Sequence, residues 1–290
     1  MSHLEILATG ALATIQDEGR RGLAGLGVGV SGATDLRSLR LANRLLGNDP
    51  GAAVIEVTFG GLALRARTAL TMALTGAPCP TTVGGVPVGL NCPVHVPAGA
   101  EVVLAPPSSG LRTYVAVRGG IDVAPALGSR ATDLMSGIGP AVLAPGTVLP
   151  VGARPSRWPT VDVAPVPVPT HGDIDLRVAF GPRQDWFVAE ALGALSAEPY
   201  EVTSDSNRVG MRLRGPVLQR AREEELPSEG VVRGSLQVPP TGQPTLFLSD
   251  HPVTGGYPVI GVVLAADVDL AAQAQPGQRL RFHVHTGGRP

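Results

Sequence analysis

No lysine occurs anywhere in the 290 residues; all 23 basic side chains are arginine. That excludes Schiff-base chemistry, a lysine general base, and a phosphate-binding loop of the Walker type, which needs a lysine at the β- and γ-phosphates. Aromatic residues make up only 3% of the chain, so aliphatic side chains must fill the core. Two cysteines, Cys79 and Cys92, allow at most one disulfide and no disulfide framework. The formal charge is −1, so there is no basic field to attract a nucleic-acid backbone. The longest uncharged apolar run, Tyr257 to Ala266, is about half of what a membrane span requires. The opening Met1-Ser-His-Leu-Glu has neither the basic nor the apolar region of a signal peptide. These absences lead to the expectation of a soluble cytoplasmic protein with reduced thiols.

What the chain does have is a 43% hydrophobic content broken by 38 glycines and 28 prolines, which implies many turns between short strands. Ala53–Phe59, Ala69–Leu74, Glu101–Leu104, Thr113–Val117, Leu176–Phe180, Thr245–Leu248 and Arg279–Val284 read as strands. Three helices are expected. One runs from Asp35 to Leu46, capped by Thr34 or Asp35 and ended by Gly47-Asn48; the others are Gln184–Leu195 and Asp267–Gln273. Six prolines between Pro150 and Pro169 suit an extended linker. The predicted organisation is a β-barrel domain over 1–155, a proline-rich linker over 156–172 and a second β-barrel domain over 173–290, mainly β with a few flanking helices. Limited proteolysis is expected to cut first in the linker. Pro97-Ala-Gly before one strand is echoed by Pro276-Gly before another, either a trace of two related barrels or a common way to enter a strand.

Four segments carry candidate chemistry. Gln16 to Asp35 holds six glycines with Asp17, Arg20 and Arg21; it is a carboxylate- or phosphate-binding loop or a turn fixed by an Asp17–Arg20 pair. Ser204 to Leu213 leads polar turn residues into a strand, with Arg208 and Arg212 expected on one face at period two. Ser228 to Gln243 offers Ser228, Gln237 and Glu229, the last a candidate base or simply an exposed acid. Ser249 to Pro258 delivers Asp250, His251, Thr254, Gly255, Gly256 and Tyr257 into one loop after an apolar strand. Metal ligation has little support: Cys79, Cys92 and His95 lack paired C-x2-C spacing, and His283 with His285 is only a pair. No G-x-S-x-G elbow is present.

Taken together, these segments resemble the allophanate hydrolase subunit 2 family, also described as biotin-dependent carboxyltransferase-like. The likeness rests on Gln16-Asp-Glu-Gly-Arg20, Gly29-Val-Ser-Gly-Ala-Thr-Asp35, Ala42-Asn43, Glu56, Leu74-Thr-Gly-Ala77, Tyr114 to Ile121 and Leu127-Gly-Ser-Arg130. It continues through Asn207 to Leu213, Ser228-Glu-Gly230, Gln237-Val-Pro-Pro240 and Asp250 through Thr254-Gly-Gly-Tyr-Pro258. Asn207 stands where the family commonly has an acid, and His251-Pro252 replaces the usual residues after the loop aspartate.

The resemblance implies two cyclophilin-like β-barrels and a role as the C-type component of an ATP-dependent 5-oxoprolinase. Such an enzyme opens the 5-oxoproline lactam to glutamate, and its other components are a subunit-1-type (B-like) protein and an A-type chain. ATP with magnesium is implied by the family alone. The alternatives are carboxyl transfer from carboxybiotin to a urea-like amide, and a non-catalytic regulator that sequesters a subunit-1-type inhibitor. The expected site has Asp250, Glu229 and Arg208 as catalytic residues. Arg212, Ser228, Gln237, Thr254, Tyr257, Asp17, Arg20 and Asn43 are expected to bind substrate, with no metal, nucleic acid or membrane involved. Asp250 is read as orienting a water or holding an arginine. Loss of Asp250 or Arg208 is expected to lower activity at least about tenfold while the fold persists.

Overall fold

The computed structural model describes residues 2–285, and the chain divides into two compact units. The first comprises Met1–Arg20, Ser31–Asp133 and Gly137–Pro169; the second comprises Arg21–Val30, Leu134–Ser136 and Thr170–Pro290.

The first unit contains β1 (Ser2–Thr9), β2 (Leu12–Gln16), α1 (Leu36–Leu45), β3 (Val54–Thr58), β4 (Leu62–Ala66), β5 (Leu70–Gly76), β6 (Thr81–Val83), β7 (Val86–Val88), β8 (Pro93–Val96), β9 (Glu101–Leu104), β10 (Arg112–Val117) and β11 (Val148–Val151). Two antiparallel sheets result, ordered β11-β1-β4-β9-β6-β7 and β2-β3-β10-β5-β8. Aliphatic side chains of both sheets, Ile6, Leu64, Val102, Ile55, Leu74 and Val115 among them, form one core. In β9 burial alternates strictly, with Val102 and Leu104 inside and Glu101 and Val103 out, as expected for a sheet wetted on one face. Strand β10 is buried throughout because α1 covers its other side: Tyr114 and Ala116 face Leu39, Ala42 and Leu46. The expected helix is therefore present. Asp35 caps it by accepting from the Ser38 N–H at 3.0 Å, and Gly47, at φ 67°, ends it.

A buried polar cluster anchors α1. Glu56 accepts the Thr34 N–H and the Tyr114 hydroxyl, both at 2.8 Å, and the Tyr114 oxygen accepts the Asp35 N–H at 2.7 Å. Desolvation first, then the Glu56 charge, holds the Tyr114 phenol well above its ordinary range.

The proline-rich stretch lies along the first unit as a strap. Arg118 donates to the carbonyls of Leu46, Pro155 and Arg157 and stacks on Trp158, 3.7 Å from the ring centroid. Farther on, the Ala164 N–H bonds to Asn91 O at 2.9 Å.

The second unit contains β12 (Ile174–Phe180), α2 (Ala189–Ala197), β13 (Tyr200–Val202), β14 (Gly210–Arg214), β15 (Glu229–Gly230), β16 (Ser235–Gln237), β17 (Thr245–Phe247), β18 (Thr254–Gly255), β19 (Val259–Val263), α3 (Ala265–Ala271) and β20 (Arg279–Val284). Seven strands close into a barrel in the order β12-β19-β16-β17-β14-β13-β20, and the closing β12–β20 pair is parallel. Leu176, Val178, Leu213, Leu236, Leu246, Ile260, Leu280 and the Tyr200–Phe282 ring pair belong to the buried cluster that fills it. The chain is thus mainly β: a closed barrel in the second unit, and two sheets around one core where the sequence suggested another barrel.

The helix expected over Gln184–Leu195 is interrupted. A short 3-10 turn, Gln184–Trp186, gives way to extended Phe187 and Val188 before α2 begins. Phe187 is buried and bridges to Arg220, and the Val188 N–H bonds to Gln219 O, so tertiary pairing overrides the helical period. Both cysteines are free, and burial pushes the Cys79 thiol up. No helix among the described residues is long and apolar enough to cross a membrane.

Candidate functional site

The outer wall of the second unit's barrel brings several of the expected residues together. Strand alternation puts Met211, Leu213, Leu236 and Leu246 inside, so Arg212, Thr245, Ser235, Gln237 and Phe247 face outward. The registers align Arg212 with Thr245, Thr245 with Gln237, and Gln237 with Val259. One cross-strand row therefore presents a guanidinium, a hydroxyl and a primary amide, spread over roughly 10 Å at the usual strand spacing. Arg212 is exposed and donates to Thr245 Oγ1 at 3.2 Å.

A short antiparallel ribbon of β15 and β18 lies against the end of this row, with Glu229 opposite Gly255 and Gly230 opposite Thr254. Gln237 Nε2 donates to Tyr257 O at 3.1 Å. A Cβ on Gly255 would come within 2.3 Å of that Nε2, so only glycine lets the ribbon approach. Ser228 Oγ is 4.0 Å from where a Cβ of Gly256 would be, while Val231, Phe247 and Val259 form an apolar cluster of their own. Ser228, Thr254 and Tyr257 are exposed. The structure thus gathers Arg212, Gln237, Ser228, Glu229, Thr254 and Tyr257 on one side of the barrel.

Asp250 and Arg208 form a buried pair instead of a reactive one. Arg208 Nε and Nη2 each meet a carboxylate oxygen of Asp250 at 2.9 Å, and the Leu134 N–H donates to Asp250 Oδ2 at 3.1 Å. Their side chains are 1% and 0% exposed. Of the two readings of Asp250, holding an arginine is the one this geometry fits. The expectation that Arg208 and Arg212 share a strand face is corrected. β14 begins only at Gly210, after a turn in which Asn207 Oδ1 accepts the Val209 N–H at 2.8 Å, so Arg208 turns inward and Arg212 outward. Glu229, offered as a base, is ion-paired to Arg183.

Three other expected ligand-binding residues are engaged within the first unit. Asp17 accepts from the Gly19 N–H, the Ser129 hydroxyl and the Arg130 N–H, at 2.8, 2.6 and 2.6 Å, and so organises a loop. Asn43 is wholly buried and donates to Pro50 O and Ala52 O. Arg20 is buried, bonds to Ala131 O at 2.5 Å and lies 4.0 Å from Asp133; an Asp17–Arg20 pair is not what fixes the loop. Among the described residues no three His, Cys, Asp or Glu side chains group to hold a metal ion, and His283 contacts Asp175. Sequence reading missed Thr245, whose place between Arg212 and Gln237 depends on register. It also mentioned His251 without giving it a role; that ring stacks on Phe247, with centroids 6.1 Å apart.

Comparison with known proteins adds an independent line. A family described as "Carboxyltransferase domain, subdomain A and B" matches residues 26–284. The chain is 38% identical to the C subunit of 5-oxoprolinase from Escherichia coli over 96% of its own length and 90% of the relative's. Identity to the corresponding C subunit from Haemophilus influenzae is 32%, covering 97% of this chain and 91% of that one. Among solved structures, TTHA0988 superposes with a TM-score of 0.89 at 34% identity, covering 98% of this chain. The Kluyveromyces lactis urea amidolyase superposes with a TM-score of 0.91 at 30% identity, covering 97% of it. The chain spans only 55% of TTHA0988 and 18% of that amidolyase.

Proposed function

The chain belongs to the carboxyltransferase subdomain A and B family, and from that premise we propose that it works as the C subunit of a 5-oxoprolinase, in a complex with A and B subunits in the cytoplasm. The observation that carries this reading is near end-to-end similarity, at 38% identity, to a protein of that name. The site chemistry supports it. 5-Oxoproline has a carboxylate and a cis-lactam, and the row has an arginine for the first and a primary amide for the second. An amide side chain carries two N–H groups and two carbonyl lone pairs, so the bond to Tyr257 O leaves Gln237 capacity for a lactam N–H and C=O. Arg212 Nη1 already leans along the row toward Thr245, where a carboxylate would meet both.

For ATP and magnesium this chain offers no dedicated site. It has no lysine for the phosphates, so any nucleotide contact would fall to arginines and backbone N–H groups. Its described residues hold no cluster of three or more His, Cys, Asp or Glu side chains. We therefore derive no step here through the nucleotide and assign it to a partner chain. A urea-directed carboxyl transfer is the second reading, favoured by 32% identity to the Saccharomyces cerevisiae urea amidolyase over 96% of this chain. Capture of a biotinylated partner would mark it.

The test is reconstitution with the A and B chains of such a complex, measuring glutamate released from 5-oxoproline with ATP. Omitting this chain is expected to abolish release, and Arg212→Ala to raise KM at least about tenfold, equivalent to about 1.4 kcal/mol. Undiminished release without the chain would sink the proposal.

A further inference from the structure

The primary amide of Gln237 has two unlike ends, and the fold commits one of them. Gln237 stands on β16 in the outward row, opposite Thr245 of β17, and Thr245 in turn stands opposite Arg212 of β14. One end of the amide lies 3.1 Å from the carbonyl oxygen of Tyr257. A carbonyl oxygen only accepts, so that end is the NH2 group, Nε2. The ribbon backs the same end: a Cβ on Gly255 would fall 2.3 Å from Nε2 and 3.4 Å from Cδ. Both contacts therefore fix the amide by its nitrogen. Oε1 accepts no bond from the described residues, yet it keeps contact with solvent, unlike the sealed Oε1 of Gln16. The residue as a whole is 8% exposed, so a donor that reaches Oε1 meets little competition from water.

We propose that Gln237 is the specificity determinant for the ring nitrogen of the substrate, with Oε1 accepting the lactam N–H. The inference rests on the 5-oxoprolinase reading above and narrows it: of the two lactam groups, Gln237 reads the N–H. In 5-oxoproline the ring nitrogen and the carboxylate hang on one carbon. A carboxylate held by Arg212 and Thr245 thus puts the N–H toward the next strand, about 4.8 Å away, where Gln237 stands. The row is therefore built for cyclic amides that carry an N–H beside a carboxylate. The ring-oxygen counterpart, a lactone of the same shape and charge, would set an oxygen lone pair against Oε1 and leave that acceptor unpaired. Urea offers an N–H but no carboxylate, so it would leave Arg212 unanswered.

The experiment uses the reconstituted complex, with 5-oxoproline as substrate and its ring-oxygen counterpart, 5-oxotetrahydrofuran-2-carboxylate, as competitor. The lactone is expected to inhibit with a Ki at least about 100-fold above the KM for 5-oxoproline, because a site built around a substrate N–H rejects the analogue that lacks it. A Ki within about threefold of that KM overturns the proposal. Gln237→Met keeps the length of the side chain and removes the acceptor. It is expected to raise the KM for 5-oxoproline at least about 30-fold with little change in the lactone Ki, so that discrimination falls to about threefold. A variant that was merely misfolded would weaken both ligands alike and leave the ratio where it was. Unchanged discrimination in Gln237→Met means that another residue reads the nitrogen, and overturns the proposal. Where that variant does not assemble, the wild-type ratio decides by itself. A wild-type complex that does not turn over 5-oxoproline refutes the 5-oxoprolinase reading and this proposal with it. With an active wild type, the lactone results judge this proposal alone.

Discussion

Replacing Arg208 with alanine should damage the fold of the second unit before it damages any chemistry, the reverse of what the sequence alone suggested. The guanidinium and the Asp250 carboxylate meet through two 2.9 Å bonds at 1% and 0% side-chain exposure. Each also belongs to the backbone that joins them: the Asp250 N–H bonds to Arg208 O and the Leu248 N–H to Val209 O, both at 3.0 Å. Removing one member strands the other's charge in a water-poor interior, which costs about 3–5 kcal/mol, whereas replacing both with apolar groups of similar volume is often neutral. For a unit of this size, about 3–4 °C per kcal/mol translates the loss into a fall in Tm of about 10–20 °C. The chain's two tryptophans make the measurement specific, because Trp186 is buried in the second unit and Trp158 lies on the strap of the first. In a Trp158→Phe background, urea unfolding followed by Trp186 fluorescence should show Arg208→Ala and Asp250→Asn strongly destabilised. The double variant Arg208→Met with Asp250→Leu should recover most of the loss. If Arg208→Ala unfolds within about 1 kcal/mol of the parent, or the double variant is worse than either single one, the pair is not the buried anchor argued here.

Tyr114→Phe should cost about 1–3 kcal/mol, because it leaves the buried Asp35 N–H and Glu56 Oε2 each short of a partner; thermal unfolding with α1 helicity as the probe checks it. With its phenol held above the ordinary value, Tyr114 contributes stability that is complete below the unfolded tyrosine pKa of about 10 and is lost as pH rises toward the folded value. Tm should therefore fall between about pH 9 and 11, and less so in Tyr114→Phe. Gly255→Ala drives a methyl to 2.3 Å from Gln237 Nε2 and should break the Gln237–Tyr257 bond, lowering kcat/KM in the reconstituted complex at least about tenfold while the barrel's circular dichroism is kept. Arg118→Ala removes the clamp on Pro155, Arg157 and Trp158 and should speed proteolysis between residues 152 and 166 about tenfold, about 1.4 kcal/mol of lost latching.

How much of this was legible in the sequence depends on the range of the interaction that decides each feature. Strands Glu101–Leu104 and Arg279–Val284 end where alternation says they should, since a period of two is local and one wet face enforces it. The cap of α1 was also legible, because Asp35 acts on a group three residues away. Gln184–Leu195 misled because the apolar residues Phe187 and Val188 satisfy a distant segment, 219–220, in extended form. Arg208 and Arg212 misled for a related reason: a side chain of Asn207 starts the turn that delays β14 to Gly210, and one such residue reverses which face an arginine sees. Even the Pro97 and Pro276 echo is local in origin. Gly99 and Gly277 both take positive φ just before a strand, at 80° and 87°, while β9 and β20 pair differently, β9 antiparallel only and β20 parallel to β12. The proline-rich stretch looked like a free linker because nothing in it announces Arg118, and a clamp formed by carbonyl oxygens leaves no mark on composition.

The proposed placement of the site on the barrel's outside has a packing cause. Seven short strands enclose a cylinder too narrow for anything but side chains. Tyr200, Phe282, Leu236, Leu246 and Ile260 are at 0–1% exposure within it. No ligand can enter such an interior without emptying it, so the proposed site falls on outward positions, where Arg212, Thr245 and Gln237 stand. An outward polar row on a sheet is normally just a solvated surface. Here Thr245 and Gln237 are nonetheless 6% and 8% exposed, Thr245 lying against Gly210 and Arg212 and Gln237 beneath Gly255 and Tyr257. Covering a polar row costs desolvation that a purely structural ribbon would avoid by meeting an apolar one, as Val231 and Phe247 do beside it. The glycine at 255 is what lets the ribbon close over Gln237, and the proposed site would use that covered amide. Replacing Thr245 by valine tests this directly: it keeps the shape and removes the hydroxyl. It should leave unfolding within about 1 kcal/mol of the parent while weakening 5-oxoproline turnover. Unchanged turnover would mean that the polar row is not read by the substrate.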